Sequence, residues 1–206
     1  MCEQHLTSLG FTDQEVPVGT HMCLVFTEDE ERADCLRKFL LSGLKIKERS
    51  ACFSNHTSEN EMRSFLSQHD ITYDDRKEKQ DIFMSGASDV YFQDNTFDPD
   101  RMLGLLDHFY QETKDLGYSA ARVIGEMNPE IEKVKGGERL LEYESRVSLM
   151  LKEKPVTAIC QYNANLFDGA TIMEVLKVHP QMMVNGAVVE NPFFIEPEDY
   201  LSHHVT

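Results

Sequence analysis

His21 and Cys23 stand two apart in the stretch "GTHMCLVF", residues 19–26. On a β-strand that spacing sends both side chains to one face, with the Cα atoms about 7 Å apart. Imidazole and thiolate together suit zinc or another soft to borderline transition metal, although two donors do not complete a site. Cys160 or Glu126 would add a further donor if their strands adjoined this one. The competing reading is a buried, hydrogen-bonded histidine beside a cysteine that packs as a small hydrophobe. Cys23 as a nucleophile with His21 as its base lacks an oxyanion donor and a third, orienting residue.

Four further residues fall at the ends of apolar runs, where parallel sheets usually gather their ligands: Phe26, Glu126, Gln161 and Tyr162. Glu126 closes "RVIGE", and burial there would raise its carboxyl and make it a general base; a carboxylate that fixes a loop fits equally well. Gln161 and Tyr162 offer an amide, a phenol and an aromatic face, the mixture that orients an apolar small molecule. Tyr162 packed as a rim residue on the following loop is the alternative.

These residues need a scaffold, and the sequence describes one. Apolar runs alternate with helical patterns, as in crossover units around a largely parallel sheet with helices on both faces. The first strand covers about His21 to Phe26. Thr27 then reads as an N-cap with Glu30 at capping-box spacing, opening a helix to about Gly43. "RSACFSN" is a second strand, followed by a helix opened by Ser58 and Glu61. "DIFMSGASDVYF" holds one strand or two around Gly86. Asp98 and Pro99 start a helix with Met102, Leu106, Phe109, Thr113 and Leu116 along one face. "SAARVIGEMN" is a strand, residues 137–154 a helix with Leu140, Leu141, Tyr143, Val147 and Leu151 inward, and "VTAICQYN" a buried strand. Asp168 caps the helix "GATIMEVLKVH", which Pro180 stops. Asn185-Gly186 between apolar runs predicts a closing antiparallel hairpin.

The strand-to-helix turn after Phe26 is where a phosphate-binding loop would lie. Such a loop needs glycines, whose backbone N–H groups converge on the anion, and a lysine. Residues 26–32 read "FTEDEER" instead, with four consecutive carboxylates that suit the positive end of the helix and repel a polyphosphate. No ATP is expected there.

Composition bounds the rest. The 206 residues suit one domain, residues 1–206. Asp and Glu number 36 against 20 Lys and Arg, and the resulting charge of −16 opposes direct nucleic-acid binding. Neither a secretory leader nor a membrane span is legible. The five cysteines, Cys2, Cys23, Cys35, Cys52 and Cys160, form no CxxC pair, which fits reduced thiols in a cytoplasm.

The blocks "GTHMCLVF", "YFQDNTFDPDRML", "VIGEMN", "ERLLEYESRV", "ICQYN" and "VVENPFF", in this order over nearly the whole chain, resemble the MEDS domain, the methanogen/methylotroph sensory domain named partly for the repressor of dichloromethane utilisation. The resemblance implies a scaffold similar to RecA and KaiC ATPases without the nucleotide loop. It also implies a non-enzymatic sensor of small hydrocarbon derivatives, methylated or halogenated, bound directly or through a metal. The family's His and Cys carry over to His21 and Cys23, its acidic position to Glu126, and its later block to Cys160, Gln161 and Tyr162. Relatives often join this module to a DNA-binding, kinase or other signalling domain. None is legible here, so the expectation is a stand-alone receptor that signals through a separate kinase or transcription regulator; self-association is left open. A metal- or thiol-dependent enzyme acting on C1 compounds and an ATPase-derived protein-binding platform are the alternatives.

Overall fold

The computed structural model describes residues 5–204, so Cys2 lies outside the described residues. The chain opens with a small antiparallel hairpin, β1 (Leu6–Ser8) and β2 (Glu15–Pro17), which the sequence reading did not anticipate. The core strands are β3 (His21–Phe26), β4 (Arg49–Phe53), β5 (Ile82–Ser85), β8 (Ala121–Glu126) and β9 (Val156–Asn163), all parallel. A closing ribbon, β10 (Gln181–Val184) and β11 (Ala187–Glu190), extends the sheet beside β3. The order across it is β11-β10-β3-β9-β8-β4-β5, seven strands with only β11 antiparallel to its neighbour. Asn185 and Gly186 at the hairpin turn both have positive φ, 50° and 76°, as the Asn-Gly pair predicts.

Helices cover both faces. On one lie α1 (Asp29–Ile46), α2 (Glu59–Ser67) and α3 (Tyr73–Glu78), together with the β1–β2 hairpin. On the other lie α4 (Ala87–Tyr91), α5 (Pro99–Asp115), α6 (Leu140–Glu153) and α7 (Gly169–Val178). A two-stranded ribbon, β6 (Phe92–Gln93) and β7 (Thr96–Phe97), sits between α4 and α5, and α8 (Pro197–His204) packs on α6. The stretch around Gly86 is therefore one strand, a short helix and a second small strand.

The expected caps hold in three places: the Ser58–Glu61 capping box, Asp98 with Pro99, and Asp168 on Thr171. Thr27 is a correction. Glu28 occupies the N-cap position of α1 without a side-chain cap, and the acidic first turn of Asp29, Glu30 and Glu31 is what complements the helix dipole. That helix runs past Gly43 to Ile46. Leu116 is also corrected: it is exposed just beyond α5, because Met102, Leu103 and Thr113 already carry the buried side.

The outer edge of the ribbon is guarded. The Gln14 side chain donates to Val188 O (3.1 Å) and accepts from Val188 N–H (2.8 Å), so one amide takes both free backbone groups at that position of β11. Among the described residues no helix is long and apolar enough to cross a membrane.

Candidate functional site

The alternation of side chains along strands divides the seven predicted site residues between two faces. His21, Cys23, Cys160 and Tyr162 face α6 and α7, whereas Phe26 packs in the core under α1 and Gln161 donates to Arg32 O (3.1 Å) on that side. Phe26 and Gln161 are thus parts of the α1 layer, separated from His21 by the sheet itself.

On the α6 face four buried donors converge: His21, Glu144, Cys160 and His179, with all ligand atoms within 4.8 Å of one another. His21 Nε2 lies 3.4 Å from Cys160 Sγ and 3.4 Å from Glu144 Oε2; Glu144 Oε2 lies 3.5 Å from Cys160 Sγ and 3.6 Å from His179 Nε2. Donors at zinc-type bond lengths on the corners of a tetrahedron stand about 3.5 Å apart. Cys23 is not in the group, a correction to the His21–Cys23 chelate. Cys160 is the register partner of Cys23 on β9, whereas His21 pairs with Ala158, so His21 reaches Cys160 diagonally, through its imidazole Nε2.

Three of the four ligands are held from behind. Ser148 Oγ donates to Val178 O (3.2 Å), which leaves it to accept from His21 Nδ1–H at 2.8 Å. His179 Nδ1–H donates to Val175 O at 2.8 Å. Both rings therefore turn Nε2 toward the cluster, and His179 Nε2, fully buried, has no hydrogen-bond partner. Tyr162 donates to Glu144 Oε1 at 2.6 Å. These are the partners that orient ligating imidazoles and carboxylates in metal sites.

The electrostatics point the same way. Burial alone would raise the Glu144 carboxyl, but the hydrogen bond from His21, the charges of His179 and His21, and the Tyr162 hydroxyl bring it down to about 2. Burial, then the charge of His21, pushes His179 down to about 4, and Glu144 only partly offsets them. Cys160 is driven well above its ordinary value, first by burial and then by the Glu144 charge, and burial carries Cys23 to about 12. A divalent cation drawing the proton from Cys160 would meet one thiolate, one carboxylate and two neutral imidazoles, a set of zero net charge that suits a buried place.

Cys160 also lines a cavity of about 50 Å³ between the sheet and α4, α5 and α6, walled almost wholly by apolar and aromatic side chains such as Phe53, Met102 and Val147. Polar cluster and apolar cavity thus share one sulfur.

Glu126 belongs elsewhere. Ser54 Oγ donates to its Oε2 (2.8 Å), His56 Nδ1 bonds its Oε1, and Arg32 Nη1 stands 3.9 Å away. Arg32, only 1 % exposed, also donates to Asp29, Thr57 and His56 O. This network lies at the carboxyl ends of β4 and β8, where an open α/β sheet would take its ligand, beside an open cleft lined by Ser54, His56, Thr57 and Ser85. Of the two readings of Glu126, the loop-fixing carboxylate describes these bonds. Residues 28–31 are exposed, and of their carboxylates Asp29 joins the guanidinium network.

Glu144, Ser148 and His179 escaped the sequence reading. Glu144 and Ser148 are four apart, one helical turn, inside the apolar side of α6, and that spacing was the available signal. His179 was read only as the end of a helix before Pro180.

No curated protein matches this sequence. Among solved structures, flagellar accessory protein FlaH of Methanocaldococcus jannaschii is similar over 90% of this chain and 84% of its own, with a TM-score of 0.61 at 10% identity. A KaiC-like protein of Pyrococcus horikoshii is similar over 81% of this chain and 70% of its own, with a TM-score of 0.54 at 14% identity. At these identities the likeness is one of fold, a RecA/KaiC-like sheet. The model of the MEDS family, the methanogen/methylotroph, DcmR sensory domain, matches residues 20–180, and this chain belongs to that family of sensory domains.

Proposed function

We propose that the protein senses a small, largely apolar molecule, a hydrocarbon derivative of the methylated or halogenated C1 type, in the cavity beside Cys160. His21, Glu144, Cys160 and His179 would hold a transition metal such as zinc at the cavity floor. The observation that carries this reading is that the Nε2 of buried His179, which has no hydrogen-bond partner, lies within 4.8 Å of three other donor atoms, one of them on Cys160, which also lines the cavity. When bound, such a metal supplies Lewis acidity and keeps Cys160 as thiolate. Four protein donors leave it no open position, which supports binding over turnover.

Helix α6 connects capture to output. Glu144 and Ser148 face the cluster, Tyr143 and Val147 face the cavity, and the helix packs on α5, α7 and α8. A ligand moves such an equilibrium only by binding one arrangement better than another, so the signal is a shift of α6 and its neighbours read by a partner protein, a kinase or a transcription regulator. The charge of −16 favours a protein partner over direct contact with nucleic acid.

Elemental analysis with native mass spectrometry of tag-free protein tests this. One equivalent of metal, lost in His179→Ala and retained in Cys23→Ser, is the expected result. Metal-free protein that takes up no zinc on titration overturns the metal centre.

A further inference from the structure

The cavity beside Cys160 is apolar except for three groups: the Cys160 thiol, already engaged with Glu144 and His21, and the hydroxyls of Tyr91 and Tyr143. Both tyrosines are more than nine-tenths buried, and among the described residues neither hydroxyl has a hydrogen-bond partner. Native interiors rarely leave such groups unpaired, because a hydroxyl taken from water without a new partner is destabilising. Two of them lining one small cavity are donors in want of an acceptor.

The strand beneath is shaped to admit one of them. Gly125, on β8 beside Cys160, lines the cavity, and a Cβ at this position would overlap the Tyr91 hydroxyl oxygen. Glycine at 125 lets the phenol lie against the sheet. Any larger residue would drive it out.

We propose that this cavity selects a small neutral molecule carrying one hydrogen-bond acceptor, a carbonyl or hydroxyl compound of roughly four heavy atoms, whose oxygen is held by Tyr91 and Tyr143 while its apolar remainder fills the cavity. The proposal rests on the reading of this cavity as the ligand site. A phenol is a donor at ordinary pH, and the apolar wall of the cavity disfavours an anionic ligand.

Acetone and isobutene, which share a shape and differ in the acceptor, are the probes, with dissociation constants measured by ligand-observed NMR on the full chain. In Tyr91→Phe and Tyr143→Phe, acetone is expected to weaken about fivefold, the factor a single hydrogen bond confers, while isobutene binds as before or better. In Ala158→Val, which puts two methyl groups into the same cavity, both probes are expected to weaken together. Acetone binding unchanged in both tyrosine variants overturns the proposal and leaves the cavity as a ligand site, as does an equal loss of both probes there. Both probes indifferent to Ala158→Val, or neither binding the natural chain, overturns the cavity reading along with it.

Discussion

On the α1 side of the sheet, at the carboxyl ends of the strands, Arg32 donates to Thr57 while Ser54 and His56 hydrogen-bond to Glu126, so the charges of Arg32 and Glu126 both have partners. On the α6 side, His21, Glu144, Cys160 and His179 converge with the Nε2 of His179 left without a hydrogen-bond partner, beside a cavity lined by Tyr91 and Tyr143. In the first region the opposite charges pair with one another, whereas in the second a buried imidazole nitrogen faces the other donors with no hydrogen bond. The contrast shows that paired charges at the strand ends serve to fix loops, whereas a buried nitrogen left unpaired among other donors is where the proposed binding must be tested.

The largest expected effect comes from removing the centre of the second region. Glu144→Ala leaves the buried Tyr162 hydroxyl without its acceptor and removes the carboxylate from beside His21 and His179, and loss of a buried charged partner costs about 3–5 kcal/mol; urea unfolding should show it, together with loss of metal. A tolerated Glu144→Ala that keeps its metal would break the comparison.

Acid should find the same region next. His179, at about 4 when folded, takes up its proton near 6.5 when unfolded, so the unfolded chain binds more protons between these values. Stability of the metal-free protein is then complete above about pH 6.5 and falls as pH drops toward 4, by at most about 1.4 kcal/mol per pH unit. Glu144, held at about 2, extends the loss below its ordinary range near 4.5. Urea midpoints against pH test this, and a flat profile from pH 7 to 4.5 contradicts it.

Changes in the first region should be smaller and should stay there. Glu126→Gln keeps the shape but weakens the bonds from Ser54 and His56, at a cost of about 1–2 kcal/mol, with metal content and acetone binding unchanged. If Glu126→Gln instead abolishes binding, the two regions are one site. Least of all should come from exposed Glu28: Glu28→Gln is expected to leave the urea midpoint unresolved from that of the natural chain and ATP binding undetectable by calorimetry.

The division between the regions also explains what the sequence made legible. Strand and helix periods, three caps and the Asn-Gly hairpin place the sheet and its layers, because each is decided by neighbours in the chain. His21 and Cys160 stand out because they lie two places from Cys23 and Tyr162 on strands that pair. Glu144 does not, because "ERLLEYESRV" has the composition of a helix whose acids face water; only packing against β3 and β9 turns that residue inward. Gly125 and Tyr91 are 34 positions apart and meet only when α4 folds over β8. The N-terminal hairpin was hidden for a similar reason: Thr7 and Ser8 are anchored by Arg122, more than a hundred residues away.

The Gln14 amide seated on Val188 has a further consequence, for how this molecule meets its own kind. With both main-chain handles at that position of the last strand already grasped, a second molecule finds no rail there to add a strand to, and the sheet stops at seven on that side. A side-chain amide thus stands where a neighbouring strand's backbone would have to bond at Val188, which disfavours strand addition at that point of the edge.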